Sequence, residues 1–220
     1  MLQLLISNYC FFIPIACALF SVVTGVILYR YIPTSLRLLT IGALFSISTD
    51  CLCFNRYDSY NLIIHNTYFF IDFFILLFAT RDLLPVKKVN WLFGIFSMVF
   101  LIAYTISRVM DGPSKLHNYA FAICSLIIVI NYLIVLYYNE RNTDDTNKLP
   151  IRLICFSIVV YHCCTFPLFL IINDVEIATG VRSALMRINN VFDSVKYLML
   201  GLGFFVFKLC HLKNKQMING

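Results

Sequence analysis

The sequence predicts an all-α polytopic membrane protein, one seven-transmembrane-helix bundle with its N-terminus outside and its C-terminus in the cytoplasm. Three observations predict this fold: the composition, the succession of apolar runs, and the distribution of Lys and Arg. Of the 220 residues, 60% are hydrophobic and 13% are charged, whereas about a quarter of the residues in a soluble domain are charged. Too few polar side chains remain to cover a globule in water, so the composition excludes a water-soluble domain.

Seven apolar runs, separated by polar breaks, predict the seven helices, because a membrane-crossing helix needs about 20 mostly apolar residues. The first run has no basic residue before its apolar stretch and Arg30 after it, the reverse of a secretory signal peptide, so we expect a retained helix. The second and fourth runs are short, and Arg56 and Arg108 near their ends can snorkel to the headgroups. The predicted spans are 9–29, 38–54, 62–80, 91–107, 118–138, 151–172 and 188–207, and a short basic cytoplasmic tail follows at 208–220.

The positive-inside rule sets the predicted orientation, since Lys and Arg accumulate in cytoplasmic loops. With seven spans, eleven basic residues lie on the side of the C-terminus and five on the side of the N-terminus, while Lys196 lies inside the last span. An N-out, C-in topology requires an odd number of spans, so the charge bias and the span count agree. The net charge of +6 is explained by these loops and by anionic lipid headgroups, so we expect no nucleic acid partner.

The sequence contains no Gly-rich phosphate loop, G-x-S-x-G or H-E-x-x-H motif. Their absence argues against most of the reaction types that soluble enzymes catalyse. Nine cysteines without a C-x-x-C spacing predict neither a disulfide framework nor a zinc site, and we expect no metal. Cysteine inside a helix is most simply a small buried apolar residue. Gly201-Leu202-Gly203 in the last span indicates a close contact between helices.

Ionisable side chains inside the spans are the candidate site, because insertion of each costs roughly 2.5–3.5 kcal/mol. Counting residues from the predicted span ends places several of them at compatible depths, near the midplane or in the outer half. We expect them to form interhelical pairs, a ligand or ion pocket, or a proton-handling group, and Asp193 and Lys196 are spaced to form an ion pair. Pro167 is expected to kink the sixth helix. The candidate ligand or ion residues are Asp50, Asp72, Asn131, His162, Asn190, Asp193 and Lys196.

The chain resembles small bacterial seven-helix integral membrane proteins of unsettled function, through residues 66–74 (NTYFFIDFF) and 188–192 (INNVF). It is also similar in kind to microbial rhodopsins, which share an acid in the third helix, a proline in the sixth and an Asp before a Lys in the seventh. Those proteins place three residues between that Asp and Lys and cage retinal with tryptophans. Here two residues separate Asp193 from Lys196, and the single tryptophan, Trp91, lies at a helix end, so retinal is not expected and the cofactor is left unassigned.

These patterns favour a non-enzymatic multi-pass protein of the inner membrane, a sensor-like or accessory membrane subunit with a polar intramembrane cluster. Its expected contacts are the lipid bilayer, a membrane or cytoplasmic protein reached through the basic inner loops, and a second copy in a homo-oligomer. Two alternatives stay open. A small ion, proton or solute transporter or channel component would use Asp50, Asp72 and Asp193, and an intramembrane lipid-acting enzyme would use Asp72, His162 and Asp193.

Overall fold

The computed structural model describes residues 2–53, 59–84, 86–112, 116–142, 145–172 and 179–219. Within these ranges the chain is all-helical and contains no β-strand, as the sequence predicts. Short 3-10 turns lie in the first and third connections. The seven helices are α1 (Leu2–Ile27), α2 (Leu38–Cys53), α3 (Ser59–Phe78), α4 (Val86–Asp111), α5 (Asn118–Asn142), α6 (Asp145–Ile172) and α7 (Thr179–Asn219).

Among the described residues, six helical stretches are long and apolar enough to cross a membrane. The described apolar part of α1, Phe12–Ile27, is shorter than these six. Large apolar side chains also lie on the outside of the helices, among them Leu52 and Met98, as is typical of helices that face hydrocarbon. The six stretches are Ser35–Leu52, Leu62–Leu83, Val89–Met110, Asn118–Arg141, Lys148–Ile171 and Arg187–Lys213.

Several helices extend well beyond the predicted apolar spans. Helix α4 covers 26 residues although its apolar run is one of the two shortest, and α6 begins at Asp145 and continues through Pro150. Helix α7 has 41 residues, which at 1.5 Å per residue is about 60 Å, twice the hydrocarbon thickness. The predicted basic tail is therefore helical as far as the chain is described. Backbone hydrogen bonding continues into polar sequence, so an apolar run marks only part of a helix.

Six of the helices form a closed ring in the order α1, α2, α3, α5, α6 and α7, with α7 packing against α1. Helix α4 packs outside this ring, against α5 and against phenylalanines of α3. The ring of Phe100 in α4 is fully buried and stacks on Phe73 of α3 with 3.9 Å between ring centroids. The interior of the ring therefore receives side chains from six helices.

Two glycines allow α7 to approach both of its neighbours. A Cβ added at Gly201 would lie 2.5 Å from the ring of Phe20 in α1, and one added at Gly203 would lie 2.6 Å from Ile154 in α6. Such distances are too short for any side chain larger than hydrogen. The contacts confirm that the Gly201-Leu202-Gly203 segment is a close contact between helices.

Polar contacts gather several connections at one end of the bundle. The backbone N–H of Ser35, between α1 and α2, donates to Asp82 Oδ2, between α3 and α4, at 3.0 Å. The Tyr31 ring lies 5.2 Å from the ring of His211 in the last part of α7. We call this the basic end, because the connections that meet here carry the larger set of basic residues, including Arg81. The other end, where α2 ends and α3 begins, is the opposite end.

Candidate functional site

The side chain of Lys196 lies inside the ring, with 6% of its residue surface exposed. Its Nζ lies 2.7 Å from Oδ1 of Asp193, one turn earlier on α7. The same Nζ lies 4.0 Å from the ring centroid of Tyr161 in α6 and 4.2 Å from that of Tyr197. A desolvated ammonium is stabilised both by a carboxylate and by aromatic faces. Lys196 is thus held on three sides.

Two further carboxylates, from α2 and α3, face this pair. Asp50 and Asp72 each interact electrostatically with both Lys196 and Asp193. Asp72 is only 9% exposed, and a Cβ added at Gly42 of α2 would lie 3.5 Å from its Oδ1, so its carboxylate points toward α2. We call Asp50, Asp72, Asp193 and Lys196 the interior charge cluster. It brings four of the seven predicted ligand residues together.

The carboxylates of the cluster differ in their partners. Within the part of the chain that the structure describes, Asp193 is the carboxylate that lies within 4 Å of the Lys196 ammonium. Asp50 and Asp72 make no hydrogen bond or ion pair with described residues, and their contact with the pair is electrostatic at longer range. Three carboxylates therefore lie within electrostatic range of one ammonium, and two of them have no hydrogen-bond or ion-pair partner among the described residues.

Tyrosine hydroxyls link the cluster to α2 and α3. The hydroxyl oxygens of Tyr68 in α3 and Tyr197 in α7 are 3.4 Å apart, and the Ser46 side chain of α2 lies near Tyr197. Tyr68 and Asp72 are four residues apart and so lie on the same face of α3. These hydroxyls supply neutral donors and acceptors around the charges.

His162, a predicted ligand residue on α6, also faces the cluster. It is 3% exposed, its Nδ1 lies 3.2 Å from Ser125 Oγ in α5, and it interacts electrostatically with Lys196. Its Nε2 is buried without a hydrogen-bond partner among the described residues. A buried ring nitrogen of this kind is available to a further donor or acceptor.

Asn131, another predicted ligand residue, lies apart from the cluster. It is fully buried, and its Nδ2 donates to Oγ1 of Thr80 at 2.9 Å. Thr80 lies two residues beyond the last residue of α3, Phe78, and its hydroxyl donates to the carbonyl of Leu77. Asn131 therefore fastens α5 to the end of α3, about two turns from Asp72.

The two remaining predicted positions lie near the cluster on α7 and along α6. The backbone carbonyl of Asn190 accepts a hydrogen bond from Ser194 Oγ at 2.7 Å, and the Asn190 side chain is half-buried one turn before Asp193. Helix α6 continues as an α-helix through Pro167 to Ile172. The side chain of Pro167 is exposed, so it does not enter the cluster.

The cysteines are less buried than the sequence predicts. Of the seven whose side chains are described, all are free, two are buried and two are exposed. The buried pair is Cys124 and Cys155, while Cys51 and Cys163 lie on the exterior. An exterior that contacts hydrocarbon accepts cysteine as readily as a core does.

Among the described side chains, no group of three or more His, Cys, Asp or Glu residues is placed to hold a metal ion. No family model, curated protein or solved structure matches the chain.

Three tyrosines that hold the cluster are absent from the sequence prediction. Tyr68 carries a signal, because its spacing of four residues from Asp72 places both on one helix face. Tyr197 is adjacent to Lys196, and adjacent residues on a helix do not normally face the same way. Tyr161 comes from a different helix, and only the packing of α6 against α7 brings its ring to Lys196.

Proposed function

We propose that the chain is a multi-pass integral membrane protein of a bacterial inner membrane, with seven spans, the N-terminus outside and the C-terminus in the cytoplasm. The six long apolar stretches support the membrane location, and the gathering of basic connections at one end supports the orientation. A C-terminal green fluorescent protein fusion tests the topology. Fluorescence of that fusion and inactivity of a C-terminal alkaline phosphatase fusion are expected, and the reverse pattern would overturn the orientation.

Within that topology, we propose a sensor-like or accessory membrane subunit without enzymatic activity. The observation that carries this proposal is the interior charge cluster. In it, Lys196 and Asp193 form a direct ion pair, and Asp50 and Asp72 interact with that pair electrostatically. Charged groups retained inside a membrane bundle are costly, so they mark a functional site by default. Asp50 lies near the opposite end, where α2 ends, and the cluster is the input site of the proposed subunit.

Helix α7 offers a direct connection from the input site to the basic end. It is one continuous α-helix that carries Asp193 and Lys196 and, further along, His211 beside Tyr31. A shift of α7 at the cluster would therefore move basic residues such as Lys213 relative to the neighbouring connections. A protein partner of the basic end, or a second copy of the chain, would receive that movement.

Photo-crosslinking in the native membrane tests this coupling. A benzophenone amino acid placed at Arg141, exposed near the basic end, is expected to form an adduct whose yield changes in Lys196→Gln and Asp72→Asn variants. Thr67→Val is the matched control, because this exposed hydroxyl bonds only to a carbonyl of its own helix. The same probe at Met98, on the exposed face of α4, reports adducts unrelated to the basic end.

Two results would contradict the proposal. One is a strictly monomeric particle in mild detergent with no adduct from the basic end. The other is an adduct whose yield is the same in the wild type, in both cluster variants and in the Thr67→Val control. An adduct of twice the chain mass would identify the partner as a second copy.

A proton or cation transporter is the second candidate, favoured by Asp50 and Asp72, which have no hydrogen-bond or ion-pair partner among the described residues. Reconstitution into liposomes with a pH-sensitive dye tests it. Transport would appear as flux in the wild type that is lost in Asp72→Asn and Asp193→Asn variants. Flux that survives both substitutions would exclude a path through these acids.

A further inference from the structure

The interior charge cluster is unbalanced. Three carboxylates, those of Asp50, Asp72 and Asp193, share the ammonium of Lys196. If all three were ionised, the described side chains of the cluster would carry two excess negative charges inside a membrane bundle, which is strongly unfavourable at low dielectric. Carboxylates within electrostatic range of one another meet this problem by retaining protons.

The geometry indicates which carboxylates lack a counter-ion among the described residues. Asp193 Oδ1 lies 2.7 Å from the Lys196 ammonium. Asp72 is 9% exposed and Asp50 is half-buried, and neither has a described counter-ion within 4 Å. The excess charge therefore falls on these two residues.

A second observation, independent of the carboxylates, also points to a ligand in the ring. The Nε2 atom of His162 is buried and unpartnered among the described residues, while its Nδ1 is fixed by Ser125. His162 lies within electrostatic range of Lys196. An imidazole held in this way presents one free position at which a proton is accepted or donated.

The described side chains also bear on which cation the site holds. They place no group of three or more His, Cys, Asp or Glu side chains close enough together to hold a metal ion. A proton requires only one oxygen and no coordination shell. We propose that the interior charge cluster is a proton-binding site, in which Asp50 and Asp72 carry exchangeable protons that enter from the opposite end. This inference rests on the proposed function and names the ligand of that same input site.

The path of entry follows from the position of Asp50. It lies three residues before the end of α2 at Cys53 and is more exposed than Asp72. A proton from the opposite end would thus reach Asp50 first and Asp72 next.

The titratable groups that face Asp72 are Tyr68 of α3, Cys124 and Tyr132 of α5, Tyr161 of α6, and Asp193, Lys196 and Tyr197 of α7. Cys17 of α1 faces Asp193, and Asp50 of α2 faces Asp193 and Lys196.

Infrared spectroscopy of the full chain in lipid nanodiscs tests the proposal, because a protonated carboxyl group has a C=O stretch that a carboxylate lacks. With aspartate labelled by carbon-13, we expect this band at neutral pH, its shift in heavy water, and its loss as the pH rises. Asp72→Asn is expected to remove roughly half of the band intensity, because two aspartates carry the protons. The double variant with Asp50→Asn is expected to remove most of the remaining intensity. Asp82→Asn is the control, because Asp82 is an exposed carboxylate that accepts a backbone N–H outside the ring.

A wild type without a protonated aspartate band at neutral pH would overturn the proposal, and this measurement needs no variant to fold. A band that survives both Asp50→Asn and Asp72→Asn in monodisperse protein would overturn it as well. The proton site and the sensor function fail in different measurements. If the band titrates but the crosslinking yield at Arg141 changes neither with pH nor in the cluster variants, the sensor function is wrong and the proton site stands. If crosslinking responds to the variants but the band is absent, the proton is not the ligand.

Discussion

Removal of the Lys196 ammonium is the sharpest perturbation of the cluster. Lys196→Met keeps an unbranched side chain, one atom shorter, but leaves Asp50, Asp72 and Asp193 without the cation that they face. At the observed 2.7 Å, the attraction between the ammonium and Asp193 is about 6 kcal/mol at an effective dielectric constant of 20. Part of this offsets the desolvation of the two ions, so we expect a net loss of about 3–5 kcal/mol in the free energy of unfolding.

The reverse change, Asp193→Asn, is expected to cost less. Lys196 keeps its two tyrosine faces, and Asp50 and Asp72 remain within electrostatic range as substitute counter-ions. The expected loss is about 1–2 kcal/mol, comparable with the loss of one good intramembrane hydrogen bond. The structure therefore predicts an asymmetry between the two halves of one ion pair.

Unfolding by sodium dodecyl sulfate in mixed micelles measures both variants, with Thr67→Val as a control expected to change stability by less than about 0.5 kcal/mol. The deficit of Lys196→Met should shrink as the pH falls, because protons bound by the acids of the cluster replace the missing positive charge of the ammonium. Equal losses in Lys196→Met and Asp193→Asn would refute the reasoning, since Asp50 and Asp72 would then be too distant to serve the ammonium. A deficit that grows at low pH would refute it as well.

Two further changes test the packing and the basic end by the same unfolding measurement. Gly201→Ala should destabilise the fold by about 1–3 kcal/mol, because its Cβ would lie 2.5 Å from the Phe20 ring. Gly94→Ala, where a Cβ meets nothing within 4 Å, should be neutral or stabilising by up to about 1 kcal/mol, and a larger loss there than at Gly201 would contradict the close contact. Asp82→Ala should cost about 1.5–3 kcal/mol, because the Ser35 N–H loses its acceptor, and an unchanged stability would show that this bond does not hold the basic end together.

The composition and the apolar runs predict the helices well, because hydrocarbon imposes a simple rule on any chain that crosses it. They do not predict where each helix ends. The fourth apolar run, 91–107, is one of the shortest, yet α4 spans Val86–Asp111. Polar residues at the headgroups continue a helix without adding to the apolar signal, so hydropathy underestimates helix length at both ends of this element.

The cluster is also largely predictable, because charged residues inside apolar spans are rare and each demands a partner. The spacing of Asp193 and Lys196 predicts an ion pair, and their charged atoms lie 2.7 Å apart, with Asp72 within electrostatic range of both. The sequence predicts Asn131 at the same depth as Asp72, but Asn131 contacts Thr80 beyond the end of α3. Counting from helix ends ignores how far one helix is displaced along its axis relative to another, and that displacement separates Asn131 from Asp72.

The ring order could not be derived from the sequence for a physical reason. In a soluble bundle, apolar periodicity marks the buried face, but in a membrane both the lipid face and the helix interface are apolar. Here the intramembrane charges mark the inward faces of α2, α3 and α7, as Asp50, Asp72 and Lys196 show. Helices α1, α4 and α5 carry no Asp, Glu, Lys, Arg or His within their predicted spans. Packing alone places α1 and α5 in the ring and leaves α4 outside it.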